Sequence, residues 1–437
     1  MKAFRCMQAH RLQGRFSLAG DKSIAHRAVI LAALSKGKTT LKNFPFNQDC
    51  LHTVKAFKAL GIRICIDTAG RSVTVYGRGV FGLRSPGKKI FAGASGTTLR
   101  LLAGLLAGQR FDSFLDASPS LRRRPMSRVT VPLRMMGARI SAAARKAEEY
   151  PPIRIQGSSL SGISYVLPVA SAQVKSALLL AGLYADGPTH IVDPFYTRDH
   201  TERMLKLFGA HIKIIKGKIA LQGNKELRSS GAFHIPGDIS SAGFFIVAAL
   251  ILPGSRVVIR NVSLNPTRTG LLKVLQRMGA NLRLEYRNRA PEPCGDIIAS
   301  GSSLKGAVVR RKEIPSLIDE LPVLMVAACL AKGKTVLEGV GELRVKETDR
   351  VSSMCRNLGA MGARVTVKKA GVQEHIVIEG VEMLKGSRVK SYGDHRTAMS
   401  MMVASLAAEG RTVIDDISCI KKSFPDFLQL LRPLLHS

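Results

Sequence analysis

Apolar residues gather in this chain into six alanine- and leucine-rich stretches, each followed by a glycine and, in most copies, a short β-branched run. They are residues 28–34 before Gly37, 101–107 before Gly108, 177–183 before Gly187, 245–250 before Gly254, 323–328 before Gly333, and 401–407 before Gly410. Nearly every position in them is apolar, which predicts helices buried all round rather than helices with one wet face. Each glycine stands where a helix would end in a left-handed residue. Residues 39–41, 190–192, 257–259, 335–337 and 412–414 then read as strands.

A second helix-glycine-strand element interleaves with the first: Leu60-Gly61-Ile62, Met136-Gly137-Ala138, Phe208-Gly209-Ala210, Met278-Gly279-Ala280 and Met361-Gly362-Ala363. The result is six copies of a unit of about 75 residues, the sixth cut short after residues 427–431. Such alternation predicts an α/β (α+β) protein. A stacked solenoid would carry the same period, but helices apolar on every side suit a closed core better.

Composition narrows the picture. A chain of 437 residues predicts two or three domains of roughly 100–200 residues each. Lys+Arg number 66 against 31 Asp+Glu, a net charge of +35 that points to acidic partners: nucleic acid, a membrane surface or anionic metabolites. The most apolar run, 244–252, is shorter than the roughly 20 residues of a membrane span. Residues 1–10 lack the apolar core of a secretory signal. Cysteines 6, 50, 65, 294, 329, 355 and 419 form no Cys-x-x-Cys pair, so they read as reduced thiols of a cytoplasmic protein without a zinc site.

Chemistry gathers at the starts of the buried helices. There the sequence places Asp21-Lys22-Ser23-Ile24-Ala25-His26-Arg27, Ser95-Gly96-Thr97-Thr98-Leu99-Arg100, Ser171-Ala172-Gln173-Val174-Lys175-Ser176, Gly237-Asp238-Ile239-Ser240-Ser241, Asp319-Glu320 and Asp394-His395-Arg396-Thr397. Ser, Thr and Asp before a helix are ordinary caps. Long cations repeated at several helix starts add something else, since free N–H groups and the helix dipole already favour anions there. Ser95-Gly96-Thr97-Thr98 lacks the Gly-Lys-Ser/Thr of a nucleotide P-loop. Two further clusters stand out: residues 120–128, with arginines at 122, 123, 124 and 128, and residues 342–350, which alternate acids and bases. The first could be a solvated basic face or a nucleic-acid patch. On a helix, Lys346 and Arg350 of the second would share a face with Glu347 beside them, which could be a simple ion-pair ladder.

Taken in order, these motifs resemble the 5-enolpyruvylshikimate-3-phosphate synthases (3-phosphoshikimate 1-carboxyvinyltransferases) of the enolpyruvyl transferase family. The matching runs are 20–28, 95–102, 120–126, 171–177, 236–241, 265–270, 344–350, 393–396 and 423–425, which span nearly the whole chain. The resemblance implies two similar domains, each of three βαβαββ units with buried helices (an inside-out α/β barrel), and an active site in the interdomain cleft. One domain would be 21–237, on the shikimate 3-phosphate side. The other would be 1–20 plus 238–437, with crossover hinges near Gly20 and Gly237. It also implies transfer of the enolpyruvyl group of phosphoenolpyruvate to the 5-hydroxyl of shikimate 3-phosphate, with release of phosphate, on the shikimate pathway to aromatic amino acids.

By the same resemblance, Lys22, Gly96, Arg124, Gln173, Arg350, Arg396 and Lys422 would surround phosphoenolpyruvate. Lys22, Ser23, Arg27, Ser171, Gln173, Arg198, Asp319 and Lys346 would hold shikimate 3-phosphate. Asp319 would take the hydroxyl proton, Glu347 would protonate the methylene carbon, and Lys22 would share the first proton. No cofactor or metal is implied, no nucleic acid or membrane is expected as a partner, and a monomer is anticipated.

Two positions depart from the family pattern. Ala94 stands where asparagine is usual, and Glu342 replaces an asparagine common in one branch. Residues 342–347 look like the branch that includes glyphosate-tolerant enzymes, yet tolerance goes with alanine where this chain has Gly96. Glyphosate is therefore expected to bind beside shikimate 3-phosphate. Two rival readings stand beside this one. UDP-N-acetylglucosamine enolpyruvyl transferase shares fold and donor but normally relies on a loop cysteine. A basic nucleic-acid-binding protein would fit the charge, but aromatics are 5% of the chain and tryptophan is absent, so stacking platforms are scarce.

Overall fold

The computed structural model describes residues 3–288, 291–371 and 373–435. The chain forms two compact units, one of Gly20–Ile235 and one of Met1–Ala19 with Pro236–Ser437. Each has its own hydrophobic core, and no residue belongs to both.

Three core helices fill the first unit, Lys22–Leu34, Gly96–Ala107 and Ala172–Gly182. Three more, Ile239–Ile251, Leu321–Cys329 and His395–Leu406, fill the second. Their apolar girdles are buried on all sides; every residue from Ile24 to Leu34 is inside. Each repeat also carries an outer helix with one wet face. In Gly270–Arg277, Leu271, Leu272, Val274 and Leu275 are buried, while Lys273, Gln276 and Arg277 face water. Among the described residues no helix is long and apolar enough to cross a membrane.

The sheets repeat one pattern. A central strand pairs in parallel with the strand before the core helix and antiparallel with a hairpin beyond it. In one sheet Ile90–Phe91 lies parallel to Ser113–Asp116, which pairs antiparallel with Glu148–Gln156 and through it with Arg139–Arg145. Two sheets take their parallel strand from far along the chain. Gln13–Ser17 lies against Arg256–Ser263, with Arg15 opposite Val258. Leu227–Arg228 and Ala232–His234 lie against Ser35–Lys42. The sixth repeat, cut short in sequence, is completed by the start of the chain: Phe4–Cys6 pairs antiparallel with Thr412–Ile414, on whose other side lies Arg388–Val389.

The two sets of glycines behave differently. Gly61, Gly137, Gly209, Gly279 and Gly362 all have φ between 79° and 96° and follow directly on an outer helix. In each case the glycine N–H and the next N–H bond back to the last turn, as Gly61 to Lys58 and Ile62 to Phe57. That is the Schellman arrangement, in which a residue without Cβ satisfies the orphan carbonyls at no steric cost. The glycines after the core helices do not close them with a left-handed cap. Gly37 lies inside the Ser35–Lys42 strand, and Gly108, the one that does stand at a helix end, has φ −94°. Gly187, Gly254, Gly333 and Gly410 are left-handed, but several residues past the helix, in the turn into the next strand.

Candidate active site

In the Gly20–Ile235 unit Lys22, Ser23, Arg27, Gly96, Ser171 and Gln173 lie in or next to the first turns of the core helices, while Arg124 follows a 3-10 turn and Arg198 lies in a loop. Asp21, Ser95 and Ser171 are true caps: their side chains accept from the N–H groups of Ile24, Thr98 and Val174. Each fixes the first turn on which its neighbours stand. Lys22 pairs with Asp49 at 3.0 Å. Arg27, buried one turn later, donates to Thr201 Oγ1 at 2.6 Å, to Ser176 Oγ at 2.8 Å and to the Ser23 carbonyl at 2.9 Å. The Gln173 side chain accepts from Arg100 Nη1 at 2.6 Å and donates to Thr97 Oγ1 at 3.0 Å, tying the second and third helix starts together.

Gly96 opens the Gly96–Ala107 helix beneath two guanidinium groups. A Cβ there would stand 3.1 Å from Arg100 Nη1 and 3.3 Å from Arg124 Nη1, tighter than ordinary contact. The arginine run divides accordingly. Arg122 and Arg123 are exposed, and Arg122 forks onto Asp116 at 2.9 and 2.7 Å, whereas half-buried Arg124 reaches Gly96. Ser23, Ser171 and Arg198 are half-buried.

In the other unit Arg350 is the organising group. Its buried guanidinium binds Asp394 at 2.8 Å, Glu347 at 2.6 Å and Asp319 at 3.4 Å. One cation thus draws together both carboxylates singled out as acid and base. Burial alone would lower the Arg350 pKa, but the charges of Asp394, Glu347 and Asp319 outweigh it and hold the proton more firmly than usual. Arg396 closes the cluster, with Nη1 donating to the Asp319 backbone carbonyl at 2.8 Å and Nη2 3.6 Å from its carboxylate. Asp394 also caps its helix, accepting from the N–H groups of Arg396 and Thr397.

The run 342–350 is not a helical ladder. Gly341–Val345 is a 3-10 turn, Lys346 is extended, and the helix starts at Arg350 under an Asp349 cap. Lys346 and Arg350 therefore do not share a helix face. One local and one distant acid draw Arg344 away: Asp349 binds it at 2.5 Å and accepts from Ser352 N–H, and Glu374, on the Gln373–Glu379 strand, grips the same arginine with two 2.6 Å bonds. Lys346 is half-buried and Lys422, at the end of Ser418–Lys422, is exposed.

Several residues that matter to this geometry had no role from sequence. Glu320, buried beside Asp319, accepts from the Ser240 hydroxyl and lies 3.5 Å from Arg268 Nη2 and 3.9 Å from Arg396 Nη1. Lys175 lies 2.8 Å from Asp193 and 2.6 Å from Glu202, all three 2% exposed. Both clusters pair a cation with acids from other segments, so no local spacing announces them.

Comparison with known proteins matches these elements throughout. A family model described as EPSP synthase (3-phosphoshikimate 1-carboxyvinyltransferase) covers residues 7–431. The chain is 48% identical over 432 residues to a 3-phosphoshikimate 1-carboxyvinyltransferase of Geobacter sp. (strain M21), with 99% of each chain covered. It is 47% identical to that of Citrifermentans bemidjiense over the full length of both. The fold is similar to the 2.37 Å structure of an EPSP synthase from Acinetobacter baumannii, with TM-score 0.87, 41% identity, and 99% and 98% of the two chains covered.

Proposed function

Because this chain belongs to the EPSP synthase family, we propose that it transfers the enolpyruvyl group of phosphoenolpyruvate to the 5-hydroxyl of shikimate 3-phosphate and releases phosphate. The observation that carries the reading is Arg350 holding Asp319 and Glu347 in one cluster. Each substrate bears a phosphate and a carboxylate, so four anionic groups must be received, and guanidinium forks match them in geometry and charge. Arg124, Arg350 and Arg396, with Lys22 and Lys422, receive phosphoenolpyruvate, and Gly96 lets the backbone approach it. Ser23, Arg27, Ser171, Arg198 and Lys346 receive shikimate 3-phosphate, while Gln173 serves both.

In the first step the 5-hydroxyl oxygen bonds to C2 of the enol phosphate and gives its proton to Asp319, with Lys22 assisting. The π pair takes a proton from Glu347 at C3, giving a tetrahedral adduct. In the second step the C2–O bond to phosphate breaks with its electron pair, and C3 returns its proton to Glu347 to restore the double bond. General acid–base help of this kind is worth ~10²–10⁴-fold. Glyphosate binds beside shikimate 3-phosphate, and the enzyme acts as a monomer in the cytoplasm.

The test is phosphate release from phosphoenolpyruvate with shikimate 3-phosphate or UDP-N-acetylglucosamine as acceptor. Turnover with the first alone is expected, and Asp319→Asn should cut kcat by ~10²–10⁴-fold. Equal or faster turnover with the nucleotide sugar would refute the reading.

A further inference from the structure

Lys175 sits one turn into the Ala172–Gly182 helix, with its ammonium in a fully enclosed site. It donates to Asp193 Oδ2 at 2.8 Å and to the Thr197 carbonyl at 3.1 Å, and pairs with Glu202 Oε1 at 2.6 Å. Those three partners bracket one segment, 193–202, which links the Pro188–Val192 strand to the His200–Leu207 helix. The Asp193 carboxylate is itself the hub of that segment. It accepts from the N–H of Phe195 at 3.1 Å, the N–H of Thr197 at 2.8 Å and the Thr197 hydroxyl at 2.7 Å.

Inside the loop so drawn, Tyr196 is held at φ +49°, a conformation a bulky side chain adopts only when its surroundings impose it. The next residue is Arg198. Three further on, Thr201 accepts the Nε–H of Arg27 at 2.6 Å. Two residues assigned to shikimate 3-phosphate are therefore placed by a segment that Lys175 fixes at both ends.

Stability does not explain three enclosed charges. Taking ions out of water is costly, and apolar residues of the same volume hold a core as well or better. The charges also fail to balance: one ammonium faces two carboxylates. Enclosure pushes the Glu202 carboxyl up despite Lys175, while Lys175 and the Thr197 hydrogen bonds keep Asp193 low against the same effect of burial. Lys175 pairs with both carboxylates, Glu202 at 2.6 Å and Asp193 at 2.8 Å, but Asp193 is the one that also accepts from Phe195 and Thr197 and so shapes the loop.

We propose that Lys175 is a positioning residue for shikimate 3-phosphate recognition: through Asp193 and the Thr197 carbonyl it locks the 193–199 loop so that Arg198, and through Thr201 Arg27, stand ready for the acceptor. The proposal rests on the assignment of Arg27 and Arg198 to that substrate. It makes Lys175 neither a ligand nor a catalytic residue.

The experiment compares wild type, Lys175→Met and Asp193→Asn by steady-state kinetics with each substrate varied in turn, after circular dichroism and a urea melt on each. Both variants are expected to raise KM for shikimate 3-phosphate by tenfold or more, while KM for phosphoenolpyruvate and kcat change less than threefold. A merely structural role would lower the urea midpoint without that selectivity. If Lys175→Met fails to fold, Asp193→Asn decides by the same criteria. A folded variant whose KM for shikimate 3-phosphate stays within twofold of wild type, or whose two KM values rise together, overturns the proposal. Failure of the underlying reading is separate, since wild type would then release no phosphate with shikimate 3-phosphate.

Discussion

The His26 imidazole is wholly enclosed in the first core helix, its Nδ1 2.7 Å from the Thr53 hydroxyl. Enclosure, outweighing the pull of Asp49, drives its pKa from 6.5 down to about 3. Below pH 6.5 the unfolded chain takes up a proton that the folded chain refuses. Stability from this group is therefore complete above 6.5 and drains away as pH falls toward 3, at up to ~1.4 kcal/mol per pH unit. Urea melts at pH 7 and pH 5 should show a smaller loss in His26→Gln, whose amide keeps a partner for Thr53. Equal losses would place the acid sensitivity elsewhere. Gly96 makes a second prediction at this scale. In Gly96→Ala the new methyl meets Arg100 and Arg124 at 3.1 and 3.3 Å, so those guanidinium groups must shift by tenths of an ångström. The expected rise is ~10-fold in KM for phosphoenolpyruvate and larger in the glyphosate inhibition constant, up to the ~100-fold that a full ångström of misplacement can produce. Unchanged constants would show that Gly96 is not placed for close approach.

Among elements, the two kinds of glycine carry different penalties. Gly209 and Gly362 end outer helices at φ +79° and +87° with open space beyond, so alanine there meets only backbone strain, about 1–2 kcal/mol. Gly104 lies mid-helix, and a Cβ would stand 2.1 Å from the Ala177 carbonyl oxygen of the neighbouring core helix. Backbone against backbone cannot yield by a rotamer change. Gly104→Ala is expected to cost more than the ~3 kcal/mol usual for overpacking, read as a urea midpoint well below that of Gly209→Ala. A midpoint equal to wild type would mean the helices part freely. The contrast also explains what could be read from the chain. The Schellman glycines were legible because both cause and signal are local. Gly104 was not, since its constraint lies across a helix interface, about 70 residues away in sequence. The same division holds in the candidate site. Helix-start motifs such as 95–100 and 171–176 were visible as dense polar runs before apolar ones. Which acid Arg350 would grip, and that Asp193 and Glu202 would converge on Lys175, depended on folding segments together; only the family resemblance gave Asp319 and Glu347 their roles as base and acid. The ladder over 342–350 failed because Asp349 competes as a cap and starts the helix only at Arg350, the far end of that run.

At the scale of the molecule, sheet pairing says how the chain is divided. The strand Ala232–His234 lies parallel to Ser35–Lys42, so residues 20–235 complete their first sheet from within. The strand Gln13–Ser17 does the same for the other unit through Arg256–Ser263. The junctions close on themselves too. Gly20 N–H donates to the Asn43 carbonyl, and the Asn43 amide donates to the Ile235 carbonyl at 3.0 Å, so the two ends of the insert are neighbours. Across the cut, Asp238 N–H donates to the Ala19 carbonyl at 3.2 Å, a gap that a linker of two or three glycines would span. Each unit keeps a closed set of sheets and an undivided core, and near 200 residues each is large enough to bury one. Residues 20–235 alone, and residues 1–19 joined through such a linker to 236–437, should each fold with cooperative urea transitions and native-like circular dichroism. A fragment that melts without cooperativity would show that its core needs the other half. That would contradict a fold in which each long-range strand exchange ends within the unit where it began.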